Sequence, residues 1–231
     1  LWLTLARFVH ELDHLARQKD GHTRPNSSGG EDEANVGGGD GTVSVLSTEF
    51  EVDPTKLGAG ADEEAQTYML AQRARQLVLC ITQSTPNMPA ELRAVAHRLA
   101  QEVHARFPGC ERIAIGGTFF LRFICPALLA PHCYALLMTP DRRRPVVPGA
   151  RLQRQLVLLG KVLQNLANGV LFGKKEPFMV RMNQFITRNL DTVGRWMDEI
   201  SSDAAPCHEA PADVPHATLA DTHQFLLAHI S

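Results

Sequence analysis

A single arginine lies inside a long apolar run. Residues 117 to 131 read G-T-F-F-L-R-F-I-C-P-A-L-L-A-P, and Arg122 is the one charged residue among them. Removing a guanidinium from water costs several kcal/mol unless its planar fork of donors is satisfied. Two interpretations follow. Either Arg122 is buried and holds backbone carbonyls or carboxylates that must stay still, or its long stem snorkels and its charge reaches solvent.

A second candidate for chemistry is the segment H-E-L-D-H, residues 10 to 14. On a helix its two histidines, at i and i+4, could bind zinc while the glutamate activates water. The extended form of this motif has glycine at position 17 and histidine at position 20, where this chain has Arg17 and Asp20. Because an open zinc site needs a rigid third ligand, we expect no metal here and two exposed histidines on an ordinary helix.

A polar stripe accompanies the leucine face of a helix that begins near Ala150. Its members are Lys161, Gln164, Asn165 and Asn168. A merely solvated face more often carries Glu and Lys, whereas amides suit hydrogen bonds to a partner's backbone. The stripe therefore predicts an interaction surface, with a plain solvated face as the alternative. Five arginines near its start would favour an acidic partner through electrostatic steering: Arg142, Arg143, Arg144, Arg151 and Arg154.

The rest of the sequence offers no catalytic arrangement. It contains no nucleophile elbow, no Ser/His/Asp order and no paired-carboxylate motif. The glycine-rich run at residues 37 to 41 lacks the order of a phosphate-binding loop, so it is interpreted as a linker. The net charge of −2 gives no global attraction to nucleic acid. No part of the chain is expected to perform chemistry alone.

The number of cysteines and the hydropathy of the chain indicate the cellular compartment in which we expect the protein. The five cysteines are an odd number without C-x-x-C spacing, which is typical of reduced thiols in an intracellular protein. No apolar run is expected to reach the roughly 18 residues that cross a bilayer. We therefore expect a cytoplasmic protein whose contact with a membrane is at most peripheral.

The elements that position these residues are predicted to be helices. Apolar spacings of three and four predict helices at residues 1 to 17, 89 to 107, 150 to 173, 176 to 200 and 216 to 230, and one through the arginine run that breaks at Pro126. Expected core positions of the helix at 89 to 107 are Leu92, Val95, Leu99, Val103 and Phe107, and Val170 is expected in the core from the helix at 150 to 173. Strand-like alternation is nearly absent, so the predicted class is all-α. The Gly-, Ser- and acid-rich residues 18 to 49 predict a flexible insertion.

Three segments together resemble one family. F-F-L-R-F-I-C-P-A-L-L-A-P, residues 119 to 131, is similar to the signature block of Ras GTPase-activating proteins, F-L-R-F-x-x-P-A. G-K-V-L-Q-N-L-A-N-G-V-L-F-G-K-K-E-P-F-M, residues 160 to 179, resembles a second block of that family. F-E-V-D-P-T-K-L, residues 50 to 57, is similar to the neurofibromin branch in particular.

The resemblance implies the irregular helical bundle of this family's catalytic domain, incomplete at its N-terminus. The core would span residues 50 to 202, after a poorly matched helix at residues 1 to 17 and before a linker and helix at residues 203 to 231. The implied activity is acceleration of GTP hydrolysis by a GTP-bound Ras-family GTPase, which carries the GTP and magnesium. Such an activator acts in trans, and it could be recruited to the inner face of the plasma membrane.

The resemblance also implies roles for individual residues. Arg122 would hydrogen-bond the carbonyls of the loop that carries an arginine finger, which neutralises charge on the transferring phosphoryl group. Lys161 would pair with Glu176 and so fix the loop that follows. The groove for the GTPase would be formed by Lys161, Gln164, Asn165, Asn168, Leu121 and Glu176.

One part of the family pattern is missing. The finger lies in an F-R-x-N-x-L-A segment upstream of F-E-V-D-P, and this chain has only Arg7 before Arg17, in the context L-A-R-F-V-H without asparagine. We expect the finger to belong to sequence before Leu1, because the chain opens without methionine or helix cap. The alternative is a helical interaction scaffold that binds a GTPase without activating it.

Overall fold

The computed structural model describes residues 2–21, 50–57, 60–139 and 143–202. These ranges contain seven α-helices: α1 (Trp2–Gly21), α2 (Glu63–Thr82), α3 (Ala90–Arg106), α4 (Glu111–Phe119), α5 (Cys125–Leu129), α6 (Ala150–Asn168) and α7 (Asn183–Ser202). A π-helical turn (Phe120–Ile124) joins α4 to α5, and two 3-10 helices cover Thr85–Asn87 and Pro177–Met182. In the described ranges β-type pairing is limited to one isolated bridge between Met138 and Pro145. The all-α prediction is confirmed.

Two predicted segments lie mostly outside the described residues. Helix α1 continues to Gly21, four residues beyond the predicted end at Arg17. Residues 22–49, which hold nearly all of the predicted insertion, and residues 203–231, the predicted linker and last helix, are not among the described ranges. Both segments remain predictions.

Helix α6 lies at the centre of the core. It packs against α1, α2, α4, α5 and α7. Its predicted leucine face is confirmed, because the following side chains are at most 2% exposed: Leu152, Leu156, Leu159, Leu163 and Leu166. Burying a leucine stabilises a fold by about 1.5–3 kcal/mol, so this face alone is a large favourable contribution. The opposite side of α6 carries the polar stripe, whose residues are half-buried or exposed.

The predicted core face of α3 is wrong at three of its five positions. Val95 is 54% exposed and Phe107 is 64% exposed, and Leu92 is at the edge of exposure at 36%. The predicted Leu99 and Val103 are half-buried, and the fully buried residue of this helix is Ala96. A small residue such as alanine permits a close approach of α3 to α4 and α7. The prediction counted only large apolar residues, and it therefore assigned the core to the neighbouring face of the helix.

Helix α6 ends earlier than predicted. Gly169 adopts the left-handed conformation with φ of 64°, and the N–H groups of Gly169 and Val170 close the helix on the Leu166 and Asn165 carbonyls at 3.3 and 2.9 Å. This glycine terminates the helix because a side chain would be strained there. The predicted end at Gly173 is therefore wrong, and Val170 is 53% exposed.

The next helix also begins later than predicted. Pro177 opens a 3-10 helix, and α7 starts only at Asn183.

The predicted break at Pro126 is wrong as well. The helix widens into a π-turn before the proline, and the Cys125 N–H pairs with the Phe120 carbonyl five residues back. A wider turn relieves the clash between a proline ring and the preceding carbonyls. The helix continues to Leu129, whose carbonyl accepts a hydrogen bond from Gln153 Nε2 at 2.9 Å.

The same helical stretch bears on the membrane expectation. Residues Glu111–Leu129 form 19 residues of mean hydropathy 1.5, long and apolar enough by length and composition to cross a membrane. The prediction that no apolar run has this length is therefore wrong. However, 44% of the stretch is buried inside the bundle, where it packs against α3, α6 and α7. We interpret it as a core helix.

Candidate functional site

Arg122 is exposed on the π-turn, so the buried interpretation is wrong. Its Nη1 donates to the Gly117 carbonyl oxygen at 2.7 Å, five residues earlier on the same helical stretch. The carbonyl that it holds belongs to its own helix, and the expected contact with the carbonyls of a finger loop stays a prediction. Because only Nη1 is used in that bond, the exposed guanidinium fork remains accessible to a second carbonyl.

The residues beside Arg122 fix its direction. Phe120 and Ile124 are fully buried, and the Phe120 ring packs edge-on against Trp196 of α7 with centroids 5.5 Å apart. Phe123 is 45% exposed and its ring stacks on Phe119 at 6.2 Å. Anchoring one side of the turn in the core turns the other side, with Arg122, toward solvent. The predicted neighbour Leu121 is half-buried.

The polar stripe of α6 faces outward. Gln164 and Asn168 are exposed, and Lys161 and Asn165 are half-buried. All four share the face opposite the buried leucines, as the spacing predicts. Their role in partner binding remains a prediction.

Lys161 and Glu176 form the predicted ion pair. Lys161 Nζ contacts Glu176 Oε1, and the ammonium lies 6.0 Å from the centroid of the Phe178 ring. Glu176 precedes the 3-10 helix and its carbonyl accepts the Met179 N–H at 3.0 Å. The pair therefore ties the end of the loop after α6 back to the middle of that helix.

A contact that sequence reasoning missed holds the centre of the same loop. The Phe172 N–H donates to Asn183 Oδ1 at 2.8 Å, and Asn183 Nδ2 donates to the Phe172 carbonyl at 3.0 Å. Phe172 itself is 6% exposed and packs into the core. An isolated asparagine gives no periodic signal, so the sequence alone did not reveal this clamp.

A second missed contact secures the F-E-V-D-P segment. Arg154 donates to both oxygens of Glu51, from Nε at 2.7 Å and from Nη2 at 2.9 Å. Phe50 and Val52 on either side are buried. Burial opposes ionisation of Glu51, but hydrogen bonds from Arg154 and the backbone outweigh it and lower the pKa of the carboxyl. Hydrogen bonding to Glu51 raises the pKa of Arg154.

The predicted basic cluster is therefore divided. Arg154 is paired, Arg151 is half-buried, and Arg143 and Arg144 are exposed. Arg142 lies outside the described residues. A continuous basic surface made of all five arginines is not supported, because a paired arginine contributes little to steering.

The H-E-x-x-H segment is used for helix packing. Glu11 accepts a hydrogen bond from Arg73 Nη1 of α2 at 3.0 Å, and both His10 and His14 are exposed. Among residues 2–21, 50–57, 60–139 and 143–202, no three His, Cys, Asp or Glu side chains are grouped to hold a metal ion. The carboxylate that would activate water is thus held by an arginine.

Comparison with known proteins agrees with this arrangement. Residues 47–168, more than half of the chain, match the family described as GTPase-activator protein for Ras-like GTPase. The chain belongs to the RasGAP family. The three segments of this RasGAP chain that resemble the family all contact or belong to α6. Arg154 of α6 binds the segment at residues 50 to 57, and α5 of the segment at residues 119 to 131 packs on α6. The segment at residues 160 to 179 includes the last part of α6 itself, with Lys161.

Individual relatives are similar over part of the chain. The probable Ras GTPase-activating-like protein ngap of Dictyostelium discoideum is 38% identical over 161 residues, 68% of this chain and 18% of that protein. Neurofibromin-A of the same organism is 41% identical over 116 residues, 50% of this chain and 12% of its own length. Human Ras GTPase-activating protein 1 is 30% identical over 188 residues, 78% of this chain and 17% of its own. The RasGAP chain thus spans less than a fifth of each relative.

Proposed function

We propose that this chain docks a GTP-bound Ras-type GTPase and, when combined with an arginine finger, stimulates hydrolysis of the GTP that the GTPase holds. The observation that carries the proposal is the family match over residues 47–168. The geometry is compatible with docking, because the polar stripe of α6 faces outward and ends beside a loop that the Lys161–Glu176 pair ties to the same helix.

In this proposal the chain acts in trans and is not itself the enzyme. The GTPase brings both GTP and Mg²⁺, so the chain needs no cofactor of its own. Gln164 and Asn168 offer amides to the partner's backbone, with Asn165 and Leu121 at the edge of the contact. Arg122, exposed on a rigid turn, holds the carbonyls of a finger loop and so presents the finger to the developing phosphoryl charge.

The proposal also covers the strength of activation by this chain alone. Its 231 residues contain no F-R-x-N segment. In Ras activation an arginine finger is worth about 10³–10⁵ in rate. We propose that this chain binds the GTPase weakly and hardly stimulates hydrolysis. We place it in the cytoplasm, recruited by its partner to the inner face of the plasma membrane.

Two measurements on Ras test the proposal. Titration should show binding of the chain to Ras loaded with a non-hydrolysable GTP analogue and weaker binding to the GDP form. Single-turnover hydrolysis with excess chain should show little acceleration, and strong stimulation would contradict the missing-finger argument. Equal affinity for the GTP and GDP forms of Ras would contradict the activator hypothesis and favour a scaffold that binds the GTPase without activating it. Absence of binding to Ras would contradict both hypotheses.

A further inference from the structure

The loop that follows α6 borders the polar stripe that forms the proposed docking surface. It starts after Asn168, the last residue of α6, and it ends at Glu176, the partner of Lys161. Val170 and Leu171 within it are 53% and 50% exposed. A loop that offers groups to a partner must hold one conformation, because binding otherwise includes the free-energy cost of ordering it.

Three attachments hold this loop, and the middle one depends on a single side chain. The first is the left-handed Gly169 and the last is the Glu176 ion pair. Between them, Asn183 binds both the N–H and the carbonyl of Phe172, at 2.8 and 3.0 Å. These two bonds also fix the orientation of the carboxamide, because its oxygen must face the N–H.

Asparagine is specifically suited to this position. Its carboxamide combines one acceptor oxygen with a donor group, and that matches the acceptor and donor of one peptide residue. Aspartate at position 183 would place an oxygen against the Phe172 carbonyl, and alanine would leave both backbone groups without this partner. Since Phe172 is 6% exposed, water cannot readily replace the lost bonds.

We propose that Asn183 is a positioning residue for the GTPase. It holds the loop after α6 in its binding conformation through the Phe172 backbone, because both groups of its carboxamide are bonded to the N–H and the carbonyl of Phe172. This inference rests on the proposed function, because the GTPase is the ligand that the loop receives.

The test compares Asn183→Ala and Asn183→Asp with a matched control in the 231-residue chain. Asn189→Ala is the control, because Asn189 Nδ2 donates to the Phe185 carbonyl at 2.8 Å, a side-chain bond to backbone that stays within α7. Two quantities are measured: the Kd for Ras carrying a non-hydrolysable GTP analogue, and amide hydrogen exchange of the loop and α7 in the free chain.

Both Asn183 variants should raise the Kd about tenfold, since the affinity falls in proportion to the population of the competent loop conformation. Exchange at residues 170–176 should become faster while exchange in α7 stays unchanged. The control should leave the Kd within about twofold and the loop exchange unaltered.

Three outcomes would overturn the role of Asn183 while leaving the proposed function intact: an unchanged Kd, unchanged loop exchange, or faster exchange throughout α7, which indicates a general folding defect. Failure of the parent chain to bind Ras is a different result. It would overturn the proposed function and this inference together.

Discussion

Arg154 and Glu51 form a two-contact ion pair between segments 103 residues apart in sequence, with N–O distances of 2.7 and 2.9 Å. Their side chains are only 25% and 19% exposed. Glu51 Oε1 also accepts the N–H groups of Val52 and Asp53 at 3.0 and 2.9 Å. The carboxylate is therefore the point at which the F-E-V-D-P segment is fixed to the central helix.

Glu51→Gln keeps the shape of the side chain and removes its charge. We expect the free energy of unfolding at pH 7 to fall by about 2 kcal/mol, because half-buried Arg154 loses the closer of its two carboxylate partners and keeps only Asp53, at 3.6 Å. Since folding lowers the pKa of Glu51, its stabilising contribution is complete above the unfolded value of 4.5 and is lost as the pH falls through the folded value. The parent and variant curves should converge below about pH 4.5 in denaturant unfolding from pH 3 to 7.

Asp198→Asn provides the matched control for this prediction. Arg112 and Asp198 also make two contacts, at 2.9 and 2.5 Å, but both side chains are 53% exposed. An exposed pair contributes at most about 1 kcal/mol, so the control should be close to the parent. A loss as large as that of Glu51→Gln, or a difference between parent and Glu51→Gln that does not change with pH, would contradict the assignment.

Arg122→Ala separates catalysis from folding. In a longer version of the chain that carries an F-R-x-N segment, we expect stimulated hydrolysis to slow by about 10²-fold, with less than about a threefold change in Ras binding. Because Arg122 is exposed and its bond to Gly117 is local, stability should change by less than about 1 kcal/mol. Single-turnover rates and titrations measure these effects.

Arg195→Ala is the control for this pair of measurements. Arg195 is also exposed, and its Nε donates to the Asp191 carbonyl on its own helix at 3.3 Å. It should leave both rate and affinity unchanged. Equal losses of rate and affinity in Arg122→Ala would indicate a folding role for this arginine instead of support for a finger.

The sequence predicts the helices and the leucine face of α6 because both are local periodic patterns of large apolar residues. It fails for α3, where the buried face is marked by Ala96 and the larger Val95 points outward. For Arg122 the sequence leaves burial and exposure open, and the structure decides for exposure on a π-turn that gives no periodic signal.

Some contacts between distant residues could be predicted from the sequence, and others could not. The Lys161–Glu176 pair is predicted because both residues lie in one block that resembles the family. The Arg154–Glu51 pair joins two segments that are distant in sequence, and no pattern in either segment indicates the other. Asn183 binds the backbone of Phe172, and because every residue has a backbone, the sequence does not indicate which one is bound. Such contacts arise from tertiary packing and become visible only in the structure.

Lys161 and Glu176 can be exchanged to separate two roles of the lysine. Lys161→Glu alone should destabilise the loop and weaken Ras binding by about tenfold or more, since two like charges then face each other. Adding Glu176→Lys restores the pair. If the lysine acts only by fixing the loop, the double variant should recover its affinity for Ras. If Lys161 also contacts the partner, as the family resemblance implies, the recovery should be incomplete. A double-mutant cycle on the Kd measures the coupling, and full recovery would contradict direct contact.

Gly116 and Gly160 lie at two close helix contacts that should respond oppositely to alanine. A Cβ at Gly116 would lie 3.1 Å from both the Ala167 carbonyl oxygen and the end of the Met197 side chain. The nearest atoms to a Cβ at Gly160 belong to the Leu129 side chain, also at 3.1 Å.

Alanine favours a helix by about 1 kcal/mol relative to glycine. Overpacking against backbone costs about 1–3 kcal/mol, so Gly116→Ala should lose about 1 kcal/mol net. Leu129 is 37% exposed and can move aside, so Gly160→Ala should be neutral or gain up to about 1 kcal/mol. Denaturant midpoints measure both, and a stabilised Gly116→Ala would show that α4 and α6 are not packed as closely as described.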